Sequence, residues 1–188
     1  MRITGGLARG ILLKSVDEAI LRPATDYLRQ AVFSVLGERI MGCHFLDLFA
    51  GTGSYGLESL SRGAHSGIFV ENNHRIAGIL GSNLKTVCKS MGHGNESRIW
   101  NVDALKIKTE ERFDLIFVDS PYDLMREKSD ELLALGVRLL KRSENSRLVI
   151  EMPGDFTLNG EQNFGLWELR RLAKRGKNSP AAVIYSLA

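Results

Sequence analysis

The fold of this 188-residue chain is decided by one stretch, His44-Phe45-Leu46-Asp47-Leu48-Phe49-Ala50-Gly51-Thr52-Gly53-Ser54-Tyr55-Gly56. Its first part is a short apolar run, which is typical of a buried strand. Glycines then interrupt the run, and the letters that follow are typical of a helix. A strand, a glycine turn and a helix start bring backbone N–H groups together where a nucleotide-like ligand can approach closely. The same letters also fit a strand–turn–helix unit whose glycines only permit packing.

Asp47 narrows the class of ligand. The spacing Gly51-x-Gly53-x-x-Gly56 satisfies the dinucleotide fingerprint literally. A carboxylate four residues before the first glycine, however, repels a pyrophosphate and suits a ligand with an ammonium or sulfonium group. S-adenosylmethionine carries both cations and no phosphate, so we expect this cofactor. A nicotinamide-dependent oxidoreductase is the alternative, and it leaves Asp47 unexplained.

Length and composition indicate a single globular domain over residues 1–188, with 44% hydrophobic and 25% charged residues. We expect residues 1–20 to form a basic hairpin extension and residues 21–188 to form the catalytic core. No apolar run is long enough for a bilayer, and the first residues do not resemble a signal peptide, which predicts a cytoplasmic protein without membrane contact. Cys43 and Cys88 form no CxxC pair, and the four histidines lack metal-ligand spacing, so we expect no metal. We expect a monomer.

Strands and helices alternate along the chain. A helix is predicted from Thr25 or Asp26 to Gly37, and later helices over 55–62, 73–89 and 127–140. Five strands are predicted between these helices, followed by two C-terminal strands over 166–172 and 181–187 that form a hairpin. This order predicts an α/β fold, a mostly parallel sheet covered on both faces. With the antiparallel hairpin it matches the Rossmann-like, seven-stranded sheet of class I methyltransferases, here with a small N-terminal β-hairpin.

Acidic side chains follow four of the predicted strands. In parallel sheets, ligands bind at the carboxyl ends of the strands, where these acids meet. Glu71 lies 24 residues after Asp47, near the offset at which an acid binds ribose hydroxyls in nicotinamide and methionine cofactors alike. Asp103 can accept from an adenine amino group or cap a helix, and both roles stay open. The expected cofactor-binding residues are Asp47, Phe49, Ala50, Gly51, Thr52, Gly53, Glu71, Asn72, Asp103, Ala104 and Asp119.

The tetrapeptide Asp119-Ser120-Pro121-Tyr122 resembles the Asp/Asn/Ser-Pro-Pro-Tyr/Phe signature of methyltransferases that modify exocyclic amines. A purine amine is a poor nucleophile because its lone pair is delocalised. Acceptors for its two hydrogens, from Asp119 and a backbone carbonyl of the turn, favour a pyramidal nitrogen aimed at the methyl group. Tyr122 offers a ring on which an extruded base can stack. A strand-ending Asx-Pro turn without function is the alternative.

The order of motifs resembles the small-subunit ribosomal RNA guanine-N2 methyltransferases of the RsmD type over nearly the whole chain. The most specific matches are Arg2-Ile3-x-Gly5-Gly6-x-x-Arg9-Gly10 and Leu21-Arg22-Pro23-x-Thr25-Asp26-x-x-Arg29. The others are Leu46-Asp47-x-Phe49-Ala50-Gly51-x-Gly53, Gly56-Leu57-Glu58, Leu60-Ser61-Arg62-Gly63-Ala64 and Phe117-Val118-Asp119-x-Pro121-Tyr122. Ser120 departs from this pattern, which has proline there. Serine keeps the carbonyl but loses the restriction on φ, so we expect a looser turn.

This resemblance implies that the protein methylates a guanine N2 in ribosomal RNA, either naked or in an assembling small subunit. It also implies that Arg9, Arg22 and Thr25 face the cofactor and RNA. The distribution of charge also supports an RNA contact at the N-terminus. The first sixteen residues contain no acid and account for the whole formal net charge of +3. The expected RNA-binding residues are Arg2, Arg9, Lys14, Arg22, Thr25 and Arg29. Adenine-N6 methylation of DNA or RNA and an inactive or weakly active RNA-binding homologue are the alternatives.

Overall fold

A computed structural model describes residues 1–15, 23–92, 94, 96–158, 161–173 and 179–187. Two expected RNA-binding residues are affected by these limits. Arg22 lies outside the described residues, and Thr25 is described by its backbone alone. The basic residues between 174 and 178 also lie outside them.

One seven-stranded sheet forms the centre of the molecule. Its strands are β1 (His44–Leu48), β2 (Ser66–Val70), β3 (Arg98–Trp100), β4 (Leu115–Val118), β5 (Arg147–Pro153), β6 (Leu166–Ala173) and β7 (Pro180–Leu187). Their order is β3-β2-β1-β4-β5-β7-β6. The first five strands pair in parallel, and β7 pairs antiparallel with both β5 and β6. The predicted parallel sheet with a C-terminal hairpin is confirmed.

Among the described residues, four longer helices accompany the sheet: α1 (Pro23–Leu36), which precedes β1, and α2 (Ser54–Ser61), α3 (His74–Met91) and α4 (Tyr122–Leu139), which lie between strands. Short 3-10 turns cover Gly37–Ile40, Ala104–Lys106 and Glu161–Phe164. The predicted start of α4 at Glu127 is wrong, because the helix begins directly after Pro121. Lys128 has φ −131° and interrupts the helix. The helical spacing of apolar residues in the sequence therefore indicated only the part of α4 that lies around and after this interruption. In the ranges described, no helix is both long and apolar enough to cross a bilayer.

Alternation along the strands gives the sheet two apolar faces. Phe45, Phe69 and Phe117 pack with α1, α2 and α3 on the face that we call the α1–α2 face. Leu46, Ile68 and the other even-numbered positions of β1, β2 and β4 pack with α4 on the opposite face. Residues with odd numbers at the ends of β1, β2, β4 and β5 therefore project towards the α1–α2 face.

The N-terminal residues form a small hairpin that packs on α2. Arg2 and Leu12 form an antiparallel bridge, and the Ile3 amide donates to the Ile11 carbonyl at 2.9 Å. The Leu7 amide donates to the Ser61 carbonyl at 2.7 Å. Gly6 has φ +76°, and a Cβ there would collide with the Ser61 carbonyl. A glycine is therefore required where the hairpin meets α2.

Candidate active site

The turn after β1 is held in an unusual backbone conformation. Phe49 has φ +63°, in the left-handed region that few residues other than glycine adopt. The Ala50 amide donates to the Val70 carbonyl and the Gly53 amide donates to the Ala50 carbonyl, both at 2.8 Å. A Cβ on Gly56 would collide with Phe69 and Phe45, so α2 lies directly against the sheet at this point. Hydrogen bonds and the close packing of α2 therefore both hold this turn in place. Strained backbone of this kind persists where the surrounding structure fixes it, commonly at ligand-binding or active sites.

Asp47 lies beneath this turn and is 1% exposed. Its Oδ2 accepts a hydrogen bond from the Gly56 amide at 2.9 Å. The pKa of Asp47 is raised to about 8, chiefly by burial, with a hydrogen bond from the Gly56 amide acting against it and the charges of Asp119 and Glu71 adding to it. A cation beside these three acids would favour their ionised forms. The site is electrostatically suited to a cationic ligand.

Glu71 joins this turn to the start of α3. Its Oε2 accepts from the Gly51 amide at 3.0 Å, and its Oε1 accepts from the Asn73 amide at 2.7 Å. Asn73 in turn caps α3, accepting from the Arg75 and Ile76 amides. Each carboxylate oxygen of Glu71 has a further lone pair. The carboxylate is thus fixed in place and still able to accept from ribose hydroxyls, and Asn72 beside it is exposed.

Asp103 and Ala104 lie at the end of β3. The Asp103 Oδ1 accepts from the Leu105 amide at 3.0 Å, which is the capping role left open by the sequence. Its Oδ2 lies 3.6 Å from the Lys106 Nζ. Asn101, which sequence reasoning missed, donates to the Glu71 carbonyl at 2.6 Å and so ties the end of β3 to the end of β2. Its polar side chain at a strand end was the available signal.

The tetrapeptide Asp119–Tyr122 follows β4, and the pairing of Leu48 with Val118 brings it beside the turn after β1. The pKa of Asp119 is raised to about 6, because the effect of burial exceeds the opposing effect of the nearby Arg29 guanidinium. Ser120 is 3% exposed, and its Oγ has no hydrogen-bond partner among the described residues. Pro121 precedes α4, and Tyr122 opens that helix with 37% of its surface exposed. The strand end therefore presents an acid and an accessible ring side by side.

The expected RNA contacts separate into two groups. Arg2, Arg9 and Lys14 are exposed on the N-terminal hairpin. Arg29 is only 2% exposed, which does not suit a phosphate contact. Its Nη2 donates to the Arg2 carbonyl at 2.7 Å and to Asp26 Oδ1 at 3.0 Å. Arg29 is buried because it lies on the inner side of α1, where its guanidinium binds groups of the protein itself.

Asn83, on α3, connects the hairpin to the turn after β1. Its Oδ1 accepts from the Lys14 amide at 2.8 Å, and its Nδ2 donates to the carbonyls of Lys14 and Thr52 at 3.0 and 2.9 Å. Asn83 is 1% exposed, so these bonds are protected from water. The basic hairpin therefore lies beside the candidate cofactor site. Sequence reasoning missed Asn83, and a lone asparagine within a helix gave no signal.

Glu151, Tyr55 and Glu58 were also missed, although all three are buried on the α1–α2 face. Glu151, in β5, accepts from the Tyr55 hydroxyl at 2.8 Å. The pKa of Glu151 is raised to about 8, chiefly by burial and then by the charge of Asp119. An acid close to the carboxyl end of the fifth strand, like those after the other strands, was the signal for Glu151. Within the described ranges, no group of three or more acidic, histidine or cysteine side chains is arranged to hold a metal ion.

The sheet order and the glycine turn after β1, with acids at the strand ends, define a Rossmann-like class I methyltransferase fold. The solved structure of the candidate methyltransferase yhhF from Escherichia coli is similar, with a TM-score of 0.80 and 27% identity, covering 100% of this chain and 97% of that one. The model of the family described as conserved hypothetical protein 95 matches residues 1–183. The chain belongs to this family, the RsmD-type family.

Two relatives have similar sequences. The candidate rRNA methyltransferase YlbH of Bacillus subtilis is 32% identical over 190 residues, which cover 94% of this chain and 100% of the relative. The ribosomal RNA small subunit methyltransferase D of Haemophilus influenzae is 32% identical over 168 residues, which cover 88% of this chain and 86% of the relative. The similarity therefore extends over both the hairpin and the sheet.

Proposed function

We propose that the protein transfers a methyl group from S-adenosylmethionine to the exocyclic N2 of a guanine in small-subunit ribosomal RNA. The observation that carries this proposal is the pairing of β1 with β4, which brings the glycine turn beside Asp119-Ser120-Pro121-Tyr122. A methyl donor on the turn and an amine on the tetrapeptide would then meet at one edge of the sheet. Relatives named as ribosomal RNA methyltransferases support the substrate class.

The cofactor would lie along the carboxyl ends of β1, β2 and β3. Asp47 and the acids beside it favour the cationic methionine end. Glu71 accepts from the ribose hydroxyls, because both of its oxygens are already oriented by backbone amides. The partly exposed Asp103 carboxylate, whose Oδ2 also lies 3.6 Å from Lys106 Nζ, accepts from the adenine amino group. Bound there, S-adenosylmethionine supplies the electrophilic methyl group.

The target amine would be held at the end of β4. Asp119 accepts one of its hydrogens, and a backbone carbonyl of the turn accepts the other. Both contacts draw the nitrogen towards a pyramidal shape and direct its lone pair, which is orientation and electrostatics combined. Tyr122 stacks on the extruded base from its exposed position at the start of α4. The nitrogen gains the methyl group as the sulfur–methyl bond breaks, which leaves S-adenosylhomocysteine, and the nitrogen then loses its extra proton to water.

The RNA backbone would lie across the N-terminal hairpin. Arg2, Arg9 and Lys14 are exposed there, and Asn83 fixes the hairpin against the cofactor turn. Phosphate contacts of this kind set register and affinity without choosing the base. We propose that the choice of guanine depends on the pocket formed by Asp119, the turn and Tyr122.

The test is methyl transfer from labelled S-adenosylmethionine to small-subunit ribosomal RNA, supplied both naked and as assembled subunits from cells that lack this protein. Digestion to nucleosides should yield labelled N2-methylguanosine in at least one of the two substrates. Labelled N6-methyladenosine would instead move the target to adenine. If the protein binds S-adenosylmethionine and labels neither substrate, the proposed activity is wrong.

A further inference from the structure

A buried polar cluster lies directly beside the proposed amine-holding acid. Glu151 is 6% exposed, and its Oε2 accepts a hydrogen bond of 2.8 Å from the hydroxyl of Tyr55, which is 4% exposed. The Tyr55 ring stacks on Phe117 with a centroid separation of 4.8 Å. Its other face lies against Phe33 of α1, so the donor to Glu151 is held between the sheet and α1. The reaction proposed above assigns no role to either side chain.

The strand register brings Glu151 next to Asp119. Val118 of β4 pairs with Ile150 of β5, and Asp119 and Glu151 are the next residues along the two parallel strands. Neighbouring strands lie about 4.8 Å apart, and paired residues project to the same face. The two carboxyl groups are thus neighbours on the α1–α2 face. The effect of the Asp119 charge on Glu151 and on Tyr55 agrees with this placement.

The charged surroundings of the two acids come from three elements. Tyr55 faces Glu151 from α2, and Arg29 from α1 acts on both acids. Ala182 of β7, on the other side of Glu151, is apolar. Asp47 of β1 adds a further acid beside Asp119. One guanidinium therefore faces several carboxyl groups at a site largely screened from water.

We propose that Glu151 is a positioning residue for Asp119: of the two neighbouring carboxyl groups, Glu151 holds a proton, and this leaves Asp119 ionised to accept from the target amine. This inference rests on the proposed function, in which Asp119 accepts from that amine. Two adjacent buried carboxyl groups cannot easily ionise together, and the pair titrates as a unit. Arg29 stabilises the remaining charge, since it lowers the pKa of Asp119 as well as that of Glu151. The Tyr55 hydroxyl donates to Glu151 Oε2, which leaves Oε1 to carry the proton.

The pH dependence follows from the sign of each shift. Burial raises the pKa of both acids above their usual values, that of Glu151 more than that of Asp119. Towards acid pH, a second proton enters and Asp119 loses its charge, so the rate falls. Towards alkaline pH, Glu151 ionises and repels Asp119, so the rate falls again. Glu151→Gln keeps a neutral hydrogen-bonding side chain that cannot titrate, and the alkaline fall should disappear.

The first measurement needs no activity. The intact protein, labelled with ¹³C at the glutamate side-chain carboxyls, is titrated by NMR without ligand. One glutamate signal should titrate near pH 8, the value for Glu151, and vanish in Glu151→Gln. Tyr55→Phe should move that signal to higher pH. In the parent protein the Tyr55 hydroxyl stabilises the Glu151 carboxylate, and the variant lacks this hydrogen bond. The control is Glu111→Gln, a partly exposed acid outside this cluster, whose removal should leave the signal unchanged. Absence of such a signal in the parent protein would overturn the proposal.

The second measurement is the single-turnover rate against pH with ribosomal RNA. Glu151→Gln should stay within about threefold of the parent rate at neutral pH and lack the alkaline fall, with unchanged cofactor affinity. A parent-like alkaline fall in Glu151→Gln, or a loss as large as that of Asp119→Ala, would show that Glu151 does not act this way. If the parent protein methylates no ribosomal RNA, the proposed function fails, and the NMR titration alone decides whether Glu151 holds the proton.

Discussion

Glu58 of α2 accepts two hydrogen bonds from Thr4 of the N-terminal hairpin, one from the amide at 2.8 Å and one from the hydroxyl at 2.6 Å. Glu58 is fully buried, and it also accepts from the Arg62 Nε at 2.7 Å and lies 3.7 Å from the Arg29 Nε. One carboxylate therefore joins the hairpin, α1 and α2. The basic hairpin is held by the interior of the sheet domain and is not a loose arm.

Glu58→Ala should destabilise the protein strongly. It leaves Arg29 and Arg62 without their shared partner in a buried position, a loss worth about 3 kcal/mol. Urea unfolding measures this change in the free energy of unfolding. The control is Glu111→Ala, which breaks the exposed pair with Arg98 and should cost at most about 1 kcal/mol. Equal effects of the two substitutions would contradict the role given to Glu58.

Asp47→Asn should weaken S-adenosylmethionine binding while it keeps an acceptor for the Gly56 amide. Loss of a charged partner suggests about 1.5–3 kcal/mol. Since the pKa of Asp47 is raised to about 8 in the free protein, a cationic ligand should also release a proton from this acid at pH 7. Calorimetry in buffers of different ionisation enthalpy measures both quantities. Unchanged affinity and unchanged proton release in the variant would refute this placement.

The raised pKa values of Asp47 and Glu151 should also make the protein less stable as pH rises. Both acids bind more protons when folded than when unfolded, so the free energy of unfolding falls between about pH 4, the unfolded pKa, and about pH 8, the folded pKa. Thermal unfolding followed across this range measures the slope. Asp47→Asn should flatten it, and an identical slope in the parent and the variant would contradict the shift.

Asp119→Ala should abolish most methyl transfer and leave cofactor affinity nearly intact, because Asp119 is proposed to hold the amine. Tyr122→Ala should weaken engagement of the base by about 1–3 kcal/mol, the value of one stacked base. Single-turnover rates and calorimetry separate the two effects. Asp123→Ala, an exposed acid in the same segment, is the matched control and should behave like the parent protein. Parent-like turnover in Asp119→Ala would make the mechanism wrong.

Arg9→Ala should weaken RNA binding and flatten its salt dependence by about one phosphate contact, a log–log slope change of about 0.7–0.9. Cofactor binding should not change. Titration of a ribosomal RNA fragment against salt measures the slope. Arg142→Ala, an exposed residue before the start of β5, is the control. If only Arg170→Ala changes the slope, the RNA site belongs to β6 instead of the hairpin.

Local sequence patterns were sufficient for the order of strands and helices. The apolar run before Asp47, the glycines after it and the alternation of strands with helices are all visible within short windows. Because parallel strands end at one edge, the acids after those strands could be expected to meet there without knowledge of their contacts. The motif order was also sufficient for the family.

Only the tertiary structure decided which polar residues face inward and which strands lie side by side. Arg29 was expected to contact RNA, but α1 turns it towards the interior, where Glu58 and Asp26 lie beside it. Glu151 became a neighbour of Asp119 through the pairing of β4 with β5, although the two residues are 32 positions apart. The physical reason is that hydrophobic period is a local property, whereas register and burial depend on contacts between distant segments.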